Sequence, residues 1–242
     1  MRIAFSGAAC TGKTTTLNAF LEKWPQYSLV KSDYRSVIKK SGKHSKKATT
    51  KSQKEILDIL IKESSPFTFH NKVCYDRCAL DNLVYTLWSH GKEVKGFNDK
   101  FVAQTIASVK EAMKSLDVIF IFSRDLMPED IENDGTRETD PQFVTETDNI
   151  FKAILKQAQL DLGKSPFFPK DNSPAVIDIH GTTDERLAQI GLYVTEDGGA
   201  YGEEQSILNI DEMAKMNNLI SDQKEILSSE KKQKFGLLDF TK

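Results

Sequence analysis

The sequence predicts an α/β protein built on a parallel five-stranded sheet flanked by helices. Short apolar runs of strand type alternate along the chain with segments of helical spacing, the pattern that crossover connections produce. A glycine-rich turn joins the first apolar run to the first helical segment. The length, 242 residues of which 39% are hydrophobic and 28% charged, fits one generous domain with a small appendage and a substantial buried core.

Taken in order, Ile3–Ser6 reads as the first strand and about Lys13 to Trp24 as the first helix. Tyr27–Lys31 follows as a short second strand. Ile56, Leu57, Leu60 and Ile61 fall at helical spacing within residues 51–63, and Pro66 bounds that helix. Lys72–Tyr75 leads into Asp76 as a third strand, followed by helices over Leu80–Trp88 and Asp99–Ser115. Val118–Phe122, short, β-branched and aromatic, reads as a buried fourth strand ending at Ser123-Arg124. Residues from about 124 to 141 are polar, acidic and broken by Gly and Pro, as expected of a lid. A helix near Phe143–Leu162, a fifth strand over Ala175–Ile179 and a helix over Thr182–Val194 complete the core. The expected division is a core domain at 1–195 and a tail at 196–242, with one amphipathic stretch at Ile207–Ile226.

Composition narrows the function classes. Thirty-three Lys and Arg against 35 Asp and Glu give a net charge of −2, which argues against a surface uniformly adapted to nucleic acid. The charge is nevertheless segregated. Residues 31–54 hold nine Lys or Arg against Asp33 alone, and residues 125–148 hold nine Asp or Glu against Arg137 alone. No apolar run approaches the ~20 residues of a membrane span, and Met1–Phe5 lacks the anatomy of a cleavable signal. Cys10, Cys74 and Cys78 are too few for a disulfide framework and lack partners for a zinc set. A cytoplasmic protein without a membrane partner is expected.

The sharpest signal is Gly7-Ala8-Ala9-Cys10-Thr11-Gly12-Lys13-Thr14, the full G-x-x-x-x-G-K-[ST] pattern, set between a strand and a helix. Its glycines let the backbone wrap so that successive N–H groups face phosphate oxygens, and the helix N-terminus adds positive potential. Lys13 is the residue to reach the terminal phosphates, and the Thr14 hydroxyl the one to bind Mg²⁺; Thr15 continues the cradle. The fold class is thus a P-loop NTPase, with ATP and Mg²⁺ as the expected cofactors.

Asp76-Arg77 closes the third strand, at the crevice where ligands of parallel sheets bind. Asp76 there can join the metal shell, accept a proton from an attacking hydroxyl, or simply cap the next helix. Asp81 lies five residues on and can face the same cleft. No apolar run ends in Asp-Glu, which weighs against a motor ATPase. Tyr34, Tyr75, Tyr85 and Trp88 flank the strands and are of a kind that stacks bases, but the core is the expected place for the last three.

These pieces together resemble the P-loop nucleoside and nucleotide kinases, and most of all the NadR-type, or AAA_28-type, kinases found in bacteria and their phages. The resemblance covers about residues 1–195 and rests on Gly7–Thr14, Asp33-Tyr34-Arg35, Asp76-Arg77 with Asp81, and Asp134-Gly135-Thr136-Arg137. The last is similar to an Asp-Asp-Gly-x-Arg segment, with Asn133 in place of the first Asp. The resemblance implies a strand order of 2-3-1-4-5, a lid over ATP, and an acceptor pocket near strands two and three. It implies acceptor contacts from Asp33, Arg35, Arg77 and Asp81, and a lid arginine, Arg137, with Arg124 as a second candidate. It also implies that His180-Gly181-Thr182 lies near the adenine.

Lys39–Lys54 reads as a solvated, charge-rich connection, or alternatively as a polyanion-binding surface for nucleic acid. The function expected is transfer of the γ-phosphoryl of ATP to a hydroxyl of a nucleoside-like acceptor, either nicotinamide riboside or a (deoxy)nucleoside or nucleotide. The alternatives are a kinase acting on a hydroxymethylated base in DNA, and a nucleotide-dependent switch or ATPase with no acceptor. The sequence sets no oligomeric state.

Overall fold

In a computed structural model of the chain, β1 (Arg2–Ser6), β2 (Ser28–Val30), β3 (Val73–Asp76), β4 (Val118–Phe122) and β5 (Ala175–Ile179) form one sheet in the order β2-β3-β1-β4-β5. Every pairing is parallel, with Phe5 opposite Asp76 on one side and Phe120 on the other. This is the order the resemblance implies. The structure describes residues 1–30, 32–41, 45–65, 72–124, 139–161 and 165–200. The chain divides into two compact units, Met1–Gly198 and Gly199–Lys242. All elements named here belong to the first, and the amphipathic stretch expected at Ile207–Ile226 lies outside the described residues.

Side-chain alternation along the strands decides the layering. Ile3 and Phe5 face one side, with Val118, Phe120 and Phe122; Leu17, Phe20 and Trp24 of α1 (Lys13–Lys23) and its C-terminus cover them, with Ile190 of α7 (Thr183–Ile190). Phe5 stacks on Phe122 and meets Phe20 edge-on, with centroids 5.7 and 5.3 Å apart. Ala4, Tyr75, Ile119 and Ile121 face the other side. There α3 (Thr50–Ser64), α4 (Ala79–Gly91), α5 (Asp99–Met113) and α6 (Pro141–Asp161) supply Leu57, Leu80, Leu83, Val109, Val144 and Phe151. A sheet buried on both faces explains why β4 reads as an unbroken apolar run.

Two boundaries differ from the expectation. The described residues of 39–54 are not one irregular connection. Lys39 and Lys40 belong to a helix, α2 (Tyr34–Ser41), Ser45–Lys47 form a 3-10 turn, and Lys51 and Lys54 lie on α3. Thr49 caps α3: its hydroxyl accepts from the Ser52 N–H while Ser52 Oγ accepts from the Thr49 N–H, which fixes where that helix starts. The last helix stops at Ile190, and residues 195–198 instead fasten to the end of α1. Trp24 Nε1 donates to the Thr195 carbonyl at 2.9 Å and the Tyr27 hydroxyl to that of Gly198 at 2.8 Å.

Candidate active site

The loop between β1 and α1 has the backbone that its glycines permit. Gly7 carries φ 143°, and a Cβ there would lie 2.7 Å from the Phe122 carbonyl oxygen, so the loop leaves β1 pressed against β4. Gly12, at φ 77°, opens α1 from the left-handed region, and Cys10 shares that region at φ 58°. Ala8, Ala9 and Thr11 are buried, and Thr11 Oγ1 donates to the Ala8 carbonyl at 3.1 Å. The Lys13 ammonium, only 6% exposed, donates to the Ala8 carbonyl and, at 3.0 Å, to Thr11 Oγ1. Burial first, then the Arg77 guanidinium, pulls its pKa from 10.5 to about 7, against the opposing pull of Asp81 and Asp76. Thr14 is half-buried and Thr15 exposed on the first turn of α1.

The end of β3 lies beside this loop. The Asp76 carboxylate accepts from Arg35 Nη2 at 3.0 Å, which links β3 to α2; the aspartate side chain is 18% exposed and the arginine 50%. Arg35 also donates from Nε to the Tyr34 hydroxyl at 3.2 Å. Asp33 is exposed, and its N–H donates to Glu63 Oε1. Arg77 turns back at φ 82°, a conformation that costs about 1–3 kcal/mol away from glycine. Its Nη1 donates at 3.0 Å both to Asp81 Oδ1 and to the Tyr85 hydroxyl. Burial opposes the charge on Arg77, but Tyr85, Tyr34, Asp81 and Asp76 outweigh it and hold its pKa well above the ordinary value.

Asp81 is 1% exposed and works inward rather than toward the cleft. Its Oδ2 accepts from Ser6 Oγ at 2.7 Å and from the Cys78 N–H at 3.0 Å, while Oδ1 takes Arg77 and, at 3.4 Å, the Gly7 N–H. One carboxylate thereby caps α4, holds the start of the phosphate loop and pairs Arg77. Tyr75 and Trp88 are buried, as expected of core residues. Tyr85 is half-buried and stacks flat on Phe143 at 5.9 Å.

Arg124 is engaged with α6. Its Nη1 donates to Thr145 Oγ1 at 3.1 Å, at the start of α6, and its N–H to Asp148. Arg137 and the Asp134–Thr136 segment lie outside the described residues. The His180 N–H donates to Gln189 Oε1 and its carbonyl accepts from Gln189 Nε2, and Thr182 caps α7 in a reciprocal pair with Glu185. The residue that sequence reasoning missed is Arg186 on α7. It is 3% exposed and donates to the Thr11 carbonyl at 2.8 Å. Its one sequence signal is position: it lies four residues before Ile190, on the helix face that enters the core.

The donor set suits a nucleotide carrying its own metal. One threonine hydroxyl and one carboxylate match Mg²⁺, which keeps several waters and takes oxygens from substrate phosphates. Among the described residues there is no group of three or more His, Cys, Asp or Glu that would hold a metal by itself.

A glycine-rich loop feeding a helix at the centre of a 2-3-1-4-5 parallel sheet, with an Asp-Arg pair ending the adjacent strand, defines the fold of the P-loop kinases. The family model described as an AAA domain, AAA_28, matches residues 2–164, and the chain belongs to that family. Among solved structures, the chain is similar to thymidylate kinase from Candida albicans, at 18% identity and a TM-score of 0.53, covering 78% of this chain and 88% of that one. It is also similar to deoxyadenosine kinase from M. mycoides with products dCMP and dCDP bound, at 13% identity and a TM-score of 0.54, covering 78% and 96%. The same enzyme with bound dATP gives 14%, 0.51, 78% and 97%. At these identities the likeness is one of fold. No curated protein matches the chain. Among the described residues no helix is long and apolar enough to cross a membrane.

Proposed function

We propose that this protein is a kinase that transfers the γ-phosphoryl group of ATP to a hydroxyl of a nucleoside-like acceptor. The observation that carries the reading is the carboxylate of Asp76 at the end of β3, beside the phosphate loop and held by Arg35. A hydrolysing switch would use such a carboxylate for its metal, but the arginine that holds it gives the acceptor side a charged partner that attack by water does not call for. In this reading the loop amides and Lys13 hold the phosphate chain; the Thr14 hydroxyl would hold the Mg²⁺ that accompanies it, with Asp76 meeting the ion only through one of its waters and so left free as a base. That ion would supply charge neutralisation on the phosphates.

Asp76 accepts the acceptor's hydroxyl proton. The freed oxygen bonds to the γ-phosphorus as the bond to the β-bridging oxygen breaks, and ADP leaves. Arg35 and Arg77 fix the acceptor side, Asp33 borders it, and Asp81 acts through Arg77 and Gly7. Arg137 is the lid arginine of this scheme, and Arg124 anchors the foot of α6. Most of the rate would come from positioning and charge neutralisation.

For the acceptor, the similarity to thymidylate and deoxyadenosine kinases favours a deoxynucleoside or its monophosphate over nicotinamide riboside. DNA is the weaker candidate, because the described basic residues of 39–54 are divided among two helices and a turn, and Lys46 and Lys54 pair with Asp140 and Asp58. ATP titration of Asp76→Asn tests the assignment. ATP affinity should persist while kcat falls by about 10²–10⁴; turnover at the native rate would remove Asp76 from the mechanism.

A further inference from the structure

A buried guanidinium on α7 reaches the phosphate loop from behind. Arg186 Nη1 donates to the Thr11 carbonyl at 2.8 Å and lies 3.4 Å from Thr16 Oγ1 on α1, so one group grips both the loop and the helix that follows it. The face of the guanidinium rests over the Phe122 ring, its carbon 5.3 Å from the centroid. The same ring belongs to the residue whose carbonyl crowds Gly7.

The accepted carbonyl and the Gly12 N–H belong to one peptide unit. The described chain has no cis peptide bonds, so that N–H points opposite to the carbonyl, away from α7. A charged donor on the carbonyl side also polarises the peptide and strengthens its N–H as a donor. We infer that Arg186 is a positioning residue for nucleotide binding, fixing the Thr11–Gly12 peptide so that its N–H faces the phosphate chain. The inference rests on the phosphate-loop reading above and adds a residue to it from the last helix of the core. Because the group is shielded from solvent, its contribution should be little screened by salt.

The test uses the full chain and inorganic tripolyphosphate, which has no base or sugar. Calorimetric titration of wild type, Arg186→Met and Arg186→Lys should show binding weakened about tenfold or more in Met, with Lys intermediate. In transfer assays KM for ATP should rise in the same order while KM for the acceptor holds. A Met variant that loses thermal stability yet binds tripolyphosphate as wild type does would overturn the inference and leave Arg186 a packing residue. If Met does not fold, Lys carries the test, and native affinity in Lys with one donor geometry lost would overturn it equally. Wild type that fails to bind tripolyphosphate would instead sink the phosphate-loop reading itself.

Discussion

At Lys13 burial and the proposed function pull in opposite directions. Enclosure by the loop lowers its pKa to about 7, whereas a polyphosphate needs the ammonium. Near pH 8 the side chain is therefore largely neutral before a nucleotide binds and charged afterwards. Binding should take up close to one proton, and affinity should fall as pH rises above about 7. Calorimetry in two buffers of different ionisation enthalpy measures that uptake, and Lys13→Met should abolish it. The same shift acts on folding. Between about 7 and 10.5 the folded chain holds fewer protons at this site than the unfolded one, so the contribution of Lys13 to stability rises with pH across that window.

Gly7 gives a second prediction at this scale. Gly7→Ala places a methyl 2.7 Å from a backbone oxygen at φ 143°, and should cost about 1–3 kcal/mol in denaturant unfolding. Unchanged stability would mean that β1 and β4 can part at the loop. The placement of both residues on a loop between β1 and α1 was legible because the glycine-rich motif is local, written in consecutive positions. Asp76 was legible for a related reason, since strand ends in parallel sheets open on the crevice. The burial of Asp81 was not. Nothing in its neighbourhood says that Ser6 and Gly7, far away in sequence, supply its donors.

Among the elements, α4 and α6 are joined by a polar latch at the C-terminal end of α4. The Glu146 carboxylate accepts from Lys92 Nζ and Trp88 Nε1, each at 2.7 Å, and from Gln142 Nε2 at 2.9 Å. The Lys92 hydrogen bond, with those of Gln142 and Trp88, lowers its pKa from 4.5 to about 2. The latch is thus at full strength above pH 4.5 and is lost as pH falls toward 2. Glu146→Gln should flatten the pH dependence of the melting temperature in that range, and Trp88 emission should report the change; a wild-type profile in the variant would deny the latch any role. The helices that carry such contacts were largely readable from apolar spacing. The exception is α2, where Tyr34, Val37 and Ile38 fall at helical spacing within only eight residues, too short to hold a helix without packing against α3. Arg186 was hidden likewise: a lone arginine on a helix reads as solvent-facing unless its tertiary surroundings are known.

For the whole molecule, a sheet with one helical layer on each face presents the phosphate loop and the end of β3 on the same edge, and that juxtaposition is what makes phosphoryl transfer the favoured reading. The basic residues give a discriminating prediction. Lys47, Lys51 and Lys54 are exposed, so replacing all three with Ala should leave phosphorylation of a small nucleoside within about twofold of wild type, as solvated charges do. A collapse of activity confined to DNA acceptors would make them a substrate groove, with a steep salt dependence to match.

The most direct measurement supplies γ-labelled ATP with deoxynucleosides, their monophosphates, nicotinamide riboside, and DNA with plain or hydroxymethylated bases. The account predicts label on one small nucleoside-like acceptor, with transfer lost in Lys13→Ala and strongly reduced in Asp76→Asn. Label released only as free phosphate, at a rate indifferent to every acceptor and to Asp76→Asn, would contradict it.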